Sequence, residues 1–476
     1  MLAWMDGSLF FRGILRFFAL LGGFFKGSFL VRLFSADFDE EWLRESRFVC
    51  SVERAFNLFP KLRLPRLPLP RLLEGSVLLS TFTEAMNTGL PAWALLAVVA
   101  LTPFLPTMLL AGMLVLTFGM SLFWYRFRLD LTGVALVLFV VITMFFGLGS
   151  LARGTSLPIA VLTSVFMLSY LLARHCFSTR RSVDFVVAVM VTAAAVTGLV
   201  ALYQVAIGYV NMTWVDRGLF AALGLRVYST FGNPNVYGAY LLLVIPPAGA
   251  LVFYARHWFL RLTAFGITGL LLVALALTYS RGCHLALAVS VLVFVLLIEK
   301  RMIVLYLAGL AAMPFVLPAS IIARLVSIVN FADTSTAFRL NIWIGSLRVL
   351  GDFWMAGLGQ GLEAYNAVYP FYALSATPSP HSHNLFLQIF LETGVVGLLV
   401  FVVMLACFFR AQFSFMRHCG DFRMKVMSAA FTAAAVGFLF QGMFDHVFYN
   451  YRVMLSFFLF MGVANSFVSI SVREEL

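Results

Sequence analysis

DFVVAVMVTAAAVTGLVALYQVAI, residues 184–207, decides the fold class. Coiled as an α-helix at about 1.5 Å per residue, this stretch is long enough to cross the ~30 Å hydrocarbon core of a bilayer. Its apolar residues do not alternate with polar ones as in a barrel strand, and Arg180 and Arg181 bound it at one end. Similar runs lie on either side, at 91–104, 107–124, 131–149, 156–173, 235–254, 262–279, 283–298, 302–318, 385–408, 427–446 and 453–470. Backbone polar groups cannot stay unpaired in lipid, so the prediction is an all-α polytopic membrane protein with about 12 transmembrane helices. Of the 476 residues, 62% are hydrophobic and only 11% charged, where a soluble domain carries about a quarter charged.

The basic residues orient the spans. Arg126 and Arg128, then Arg174, Arg180 and Arg181, Arg256 and Arg261, Lys300 and Arg301, and finally Arg410, Arg417, Arg423 and Lys425 fall in every second connection. The positive-inside rule places those connections, and both termini, on the cytoplasmic side. Arg153, Arg217, Arg226, Arg281, Arg324, Arg339, Arg348 and Arg452 remain outside. A net charge of +12 then reflects topology and attraction to anionic headgroups rather than nucleic-acid binding. No basic motif with interleaved aromatics accompanies it, and the 51 Phe read as packing and lipid-facing residues. Cys50, Cys176, Cys283, Cys407 and Cys419 lack metal-ligand spacing, so neither a zinc site nor a disulfide framework is expected.

Residues 1–88 read as a basic cytoplasmic or interfacial region ahead of a membrane domain at 89–476. Within it, 8–34 looks like an amphipathic segment lying in the inner interface, not a cleavable signal peptide. KLRLPRLPLPR, residues 61–71, has three prolines and cannot form a regular helix, so it is expected to run extended along the inner headgroups. Two outer loops are long, about 208–234 and about 319–384, and long ordered loops are usually functional. The large extracytoplasmic loop carries Trp343, Trp354, Tyr365, Tyr369 and Tyr372, which argues for a packed structure. A helix is expected over 335–350, capped by Thr334 or Ser335, with Arg339 and Trp343 one turn apart.

Four polar motifs fall on the outer side. PSPHSHNLFLQIFLETGVVG, residues 378–397, sets His381 and His383 just outside a helix that Asn384 can cap, and lines up Asn384, Gln388 and Glu392 four residues apart. Polar groups at that depth should face the bundle interior, where they could equally serve to hold helices together. TYSRG, residues 278–282, puts Arg281 at a helix N-terminus, a setting for an anion, although a lone arginine there also snorkels to lipid phosphate. RVYSTFGNPNVYGAY, residues 226–240, combines Arg226 with a Gly-Asn-Pro turn. FRLNIW, residues 338–343, is followed by GLGQGLEAY, residues 357–365, whose glycines permit a sharp bend but follow no strand and are no nucleotide signature. Asp445, near the outer end of its span, could orient a basic partner.

Running along the chain as the TFGNPN turn, TYSRG, the R…W…GLGQG…Y loop and HSHNLFLQIFLETGVVGLL, the most specific of the four, these motifs together resemble the O-antigen ligase and Wzy-type polymerase superfamily over roughly residues 90–470. The resemblance implies transfer of a glycan from an undecaprenyl-diphosphate carrier to a glycan, lipid or protein acceptor, without cofactor or metal, at the outer face of the bacterial cytoplasmic membrane. It implies catalytic roles for Arg281 and Arg339 on the diphosphate and for His383 on the acceptor hydroxyl, with Arg226, His381 and Asn384 binding substrate. Elementary chemistry agrees: fixed cations stabilise a departing diphosphate, and histidine is suited to take a hydroxyl proton. Two other classes share some of these features. A flippase for lipid-linked oligosaccharide should show midplane charges and inverted repeats. A cell-wall glycan polymerase of the shape and division type should place a carboxylate in the large loop, where only Asp333, Asp352 and Glu363 are available.

Overall fold

The computed structural model describes residues 41–59, 89–209, 226–316, 319, 321–322 and 334–475. The segments 8–34 and 61–71, most of the loop 208–234, and Arg324 and Asp333 lie outside the described residues. Every regular element among the described residues is helical. Two short helices, α1 (Glu41–Glu45) and α2 (Arg47–Phe56), precede twelve apolar ones. These are α3 (Leu90–Leu101), α4 (Thr107–Trp124), α5 (Leu131–Gly149), α6 (Arg153–Cys176), α7 (Arg180–Ala206), α8 (Pro234–Tyr254), α9 (Trp258–Leu277), α10 (Arg281–Ile298) and α11 (Ile303–Val316), then, beyond the large loop, α14 (Leu385–His418), α15 (Phe422–Gly442) and α16 (Tyr451–Glu475). Ten are long and apolar enough to cross a membrane; α3 and α11 are shorter. The expected all-helical polytopic architecture is present.

α15 and α16 form the buried centre. α15 owes its place to small side chains: its SAAFTAAAVG stretch lets neighbours approach closely, which is how helices associate when lipid offers no hydrophobic contrast. Against α10 the fit brings Ser290 Oγ to the Ala433 carbonyl at 2.8 Å. A polar chain ties the helices at the end opposite the motifs. Tyr170 donates to Asp130 at 2.8 Å, Asn465 donates to Tyr170 at 2.8 Å, Gln412 to Asn465 at 3.1 Å, and Ser428 to Gln412 at 2.9 Å. Arg174 completes it with an ion pair to Asp130 at 3.3 Å. Each buried donor is matched there, so the network links α5, α6, α14, α15 and α16 without an orphaned group. At that same end α2 docks on the connection between α4 and α5: Asn57 exchanges two hydrogen bonds with Phe127, and Glu53 accepts from the Leu129 N–H.

The large loop is structured where described. It contains α12 (Thr334–Phe353) and α13 (Leu362–Asn366), packed around Ile342, Val349, Tyr365 and Tyr369. The span expected at 385–408 is present as part of α14, with a feature the sequence did not signal: the helix is broken within. α14 runs for 34 residues, yet α15, which follows after a short turn, has 21 and still reaches the level of its start, where Leu385 packs on Gly442. The surplus is absorbed by a break at Gly394, whose φ of 63° is left-handed. The carbonyls freed by that break are taken by the loop: Leu358 N donates to Leu391 O at 2.7 Å and Gly359 N to Glu392 O at 3.1 Å, while Val395 N reaches Trp354 O at 2.9 Å. GLGQG is thus a clasp on a broken helix. A Cβ on Gly357 would lie 2.3 Å from the Glu392 carbonyl oxygen, so only glycine permits the approach.

Candidate active site

The HSHN turn is held by its own polar groups. Ser382 N donates to Gln388 Oε1 at 2.8 Å, Ser382 Oγ to the Asn384 carbonyl at 2.9 Å, and His383 N to His381 Nδ1 at 3.2 Å. Asn384 caps α14 by accepting from Leu387 N at 3.0 Å, and its amide donates to the Met443 carbonyl at 2.9 Å. These bonds impose a left-handed backbone on His383, φ 51°, a conformation that costs a non-glycine residue about 1–3 kcal/mol and recurs at functional sites. Its imidazole is thereby aimed at the turn after α15, where His383 Nδ1 lies 3.1 Å from Asp445 Oδ1.

Asp445 is buried. Burial pushes its carboxyl up, but the His383 hydrogen bond and the Arg339 and histidine charges outweigh that and hold it well below the usual carboxylate range. An ionised Asp445 can only accept, so Nδ1 of His383 keeps the proton and donates it in the hydrogen bond, which leaves Nε2 as the free lone pair. His381 is pushed down to about 4 by burial, with His383 and Arg339 adding to the effect against the opposing pull of Asp445. It is a neutral ring at neutral pH, stacked on Tyr449 with centroids 4.9 Å apart and 4.3 Å from His383.

Of the arginines, Arg339 stands beside this turn. Arg339 projects from α12 one residue after Phe338, whose ring lies 6.5 Å from His383, and its charge is felt at both Asp445 and His381. One turn further, the indole Nε1 of Trp343 is buried without a partner. Arg226 donates from Nε to the Thr278 carbonyl at 2.9 Å and from Nη2 to Asn235 Oδ1 at 3.2 Å, and Val227 N donates to Leu277 O at 3.1 Å. The Arg226 segment is therefore stitched to the TYSRG turn, which places Arg281 in the first turn of α10 beside a left-handed Tyr279, φ 51°. Gly282 abuts Gln441, four residues before Asp445. All six predicted residues thus stand at one end of the bundle: His383, His381 and Asn384 in one turn, Arg339 beside it, and Arg226 and Arg281 across α15.

Sequence reasoning anticipated Asp445 as an orienter but not its partner. It missed His446, Tyr449 and Gln360, all buried or half-enclosed beside His381; the polar and aromatic cluster DHVFYNY between two spans was the available signal. The stripe Asn384, Gln388 and Glu392 does face inward, but Gln388 spends its carbonyl on the HSHN turn and its amide on Glu392 at 2.9 Å.

Among the described residues His381, His383 and Asp445 have donor atoms within 4.8 Å of one another, the spacing of a metal-ligand set. Their donors are largely spent on each other, since His381 Nδ1 accepts from the backbone and His383 Nδ1 bonds Asp445, and the adjacent Arg339 charge repels a cation. The set fits a proton relay better than a metal.

Residues 266–402 match the family model described as O-antigen ligase. The segment begins within α9, passes the break in α14, and contains Arg281, Arg339, His381, His383 and Asn384; Arg226, Asp445 and His446 lie outside it. No curated protein matches the chain. The resemblance read from the motifs is thereby shown, and it supports a multi-pass bacterial membrane protein that transfers glycans.

Proposed function

We propose that this O-antigen-ligase-type protein transfers a glycan from an undecaprenyl-diphosphate carrier to an acceptor hydroxyl on a glycan, lipid or protein, at the outer face of the cytoplasmic membrane. The observation that carries the reading is the His383–Asp445 pair, 3.1 Å apart, with Asp445 buried and His383 half-buried beside Arg339, on the same end of the bundle as Arg281. The distribution of basic connections supports the outer placement: α2, Arg126, Arg128 and Arg174 mark the opposite end.

The chemistry follows from the free atoms. The acceptor oxygen attacks the anomeric carbon as its proton passes to His383 Nε2. The bond from that carbon to the phosphate oxygen breaks, and the electron pair leaves on undecaprenyl diphosphate. Asp445 holds the imidazole in the productive tautomer and stabilises the imidazolium. Arg281 and Arg339 neutralise the growing negative charge, with Trp343 Nε1 a further donor on the same helix as Arg339. Each fixed donor of this kind contributes about 3 kcal/mol to such a step. Arginine positive charge does here what a divalent ion would otherwise do, so transfer is expected to persist in chelator.

Purified protein in vesicles, given an undecaprenyl-diphosphate-linked glycan and an acceptor, should release free undecaprenyl diphosphate. His383→Ala and Arg281→Ala should abolish release while leaving the protein folded. Full release in both variants would sink the assignment.

A further inference from the structure

Beside His381 a cavity of about 300 Å³ opens into the bundle, at the low end of the range for small-molecule sites. Its walls come from α5, α6, α14, α16, the Gln360–Leu362 loop and the 445–449 turn, and none from α8, α10 or α12, which carry or flank the arginines. One side is polar: Gln360, His381, Gln388, Glu392 and His446. The other is apolar and aromatic, with Phe139, Met167 and Tyr449 among its residues. His446 is buried and its Nδ1 has no hydrogen-bond partner. Leaving such an atom unmet is costly unless a ligand completes it.

We propose that this cavity is the acceptor subsite and seats one sugar ring of the acceptor glycan. The inference deepens the transfer reading and rests on it. Displacement at an anomeric carbon requires the incoming oxygen opposite the leaving group. With the diphosphate on the arginine side, the acceptor must approach from the far side of the HSHN turn, where this cavity lies. A ring of hydroxyls needs several convergent donors and acceptors, and its C–H face needs an aromatic wall. Glu392 and Gln360 supply the first, Tyr449 the second, and His446 Nδ1 has a place for one further hydroxyl. The volume admits a single ring and not a polyprenyl chain. His381, shared by the cavity and the His383 turn, marks the rim where a ring seated in the cavity extends its hydroxyl to the base.

The test uses the full chain in detergent with two independent readouts. First, free monosaccharides (glucose, galactose, N-acetylglucosamine, rhamnose) are screened by saturation-transfer NMR. At least one should bind wild type and lose its signal in Thr163→Phe, which fills the cavity, and in His446→Leu, which removes the unmet nitrogen. Second, in the transfer assay both variants should raise the acceptor KM at least tenfold while the donor KM stays within twofold. Sugar binding needs no turnover, so a protein that binds but does not transfer refutes the mechanism and keeps the subsite. Absence of any variant-sensitive sugar signal overturns the subsite, as does an increase in donor KM in place of acceptor KM. His446→Leu differs little in volume from wild type, which guards against a misfolded Thr163→Phe.

Discussion

Replacing Asp445 by Asn separates the relay from a collection of nearby polar groups. The side chain keeps its shape, but a carboxylate that can only accept becomes an amide that can also donate. In the native site Asp445 fixes the proton on His383 Nδ1 across 3.1 Å. The substituted amide could instead donate to Nδ1 and put the proton on Nε2, where it blocks the acceptor hydroxyl. The loss has two parts. A hydrogen bond to a charged group contributes about 1.5–3 kcal/mol, which at 1.36 kcal/mol per decade is roughly tenfold to two-hundredfold in rate. The wrong tautomer adds to this, bounded by the whole contribution of a general base, about 10²–10⁴. The expected result for Asp445→Asn is therefore a fall in kcat of about 10²–10³ with donor KM unchanged, because the diphosphate is held elsewhere. Release of undecaprenyl diphosphate, followed by chromatography over a range of donor concentrations, measures both constants. A variant with native kcat, or one whose defect lies wholly in donor KM, would refute the relay.

Gly357→Ala should loosen the clasp on α14, costing about 1–3 kcal/mol of stability because its Cβ would meet the Glu392 carbonyl at 2.3 Å; Gly119→Ala, with nothing within 4 Å, should be neutral or slightly stabilising, and thermal melts of the two variants decide it. His381 should make the outer end pH-sensitive. Its folded pKa of about 4 lies below the ordinary 6.5, so its contribution is complete above pH 6.5 and is lost as pH falls towards 4, by about 3 kcal/mol in all. The melting temperature of wild type should accordingly drop more steeply over that window than that of His381→Gln, and parallel curves would remove the effect. Arg452 donates to the Pro103 and Thr230 carbonyls at 3.1 and 3.0 Å and covers the Phe231 ring, so Arg452→Met should cost about 2 kcal/mol in a denaturation series, and unchanged stability would show the carbonyls find other donors.

What could be read from the chain depended on how far apart the causes lay. The spans were legible because length and apolar content decide them locally: 184–207 was anticipated and α7 runs Arg180–Ala206. The Asn384 cap was legible for the same reason, since the cap and its Leu387 N–H are three residues apart. The break in α14 was not. TGVVG reads as ordinary apolar helix, and nothing local demands a left-handed Gly394. The demand comes from residues 354–359, which donate to and accept from the broken turn across the fold. Asp445 shows the same limit, since its role depends on an imidazole 62 residues away in sequence.

The broken helix is also what makes a site possible in a bundle otherwise packed for burial. An unbroken α14 would carry Glu392, Gln388 and the HSHN turn along one straight face, and the 34-residue helix would overshoot α15. The break at Gly394 bends residues 385–393 back so that Asn384 can bond Met443 and His383 can meet Asp445. The bend exposes backbone carbonyls, which the GLGQG clasp satisfies, and it leaves beneath the turn the polar-walled space beside His381. Three motifs that are weak when read separately, the glycine-rich loop, the polar stripe and the histidine turn, are parts of one device. The arginines need no such device: Arg281 sits in the first turn of α10, Arg339 lies on α12, and Arg226 is held to the TYSRG turn by its own hydrogen bonds.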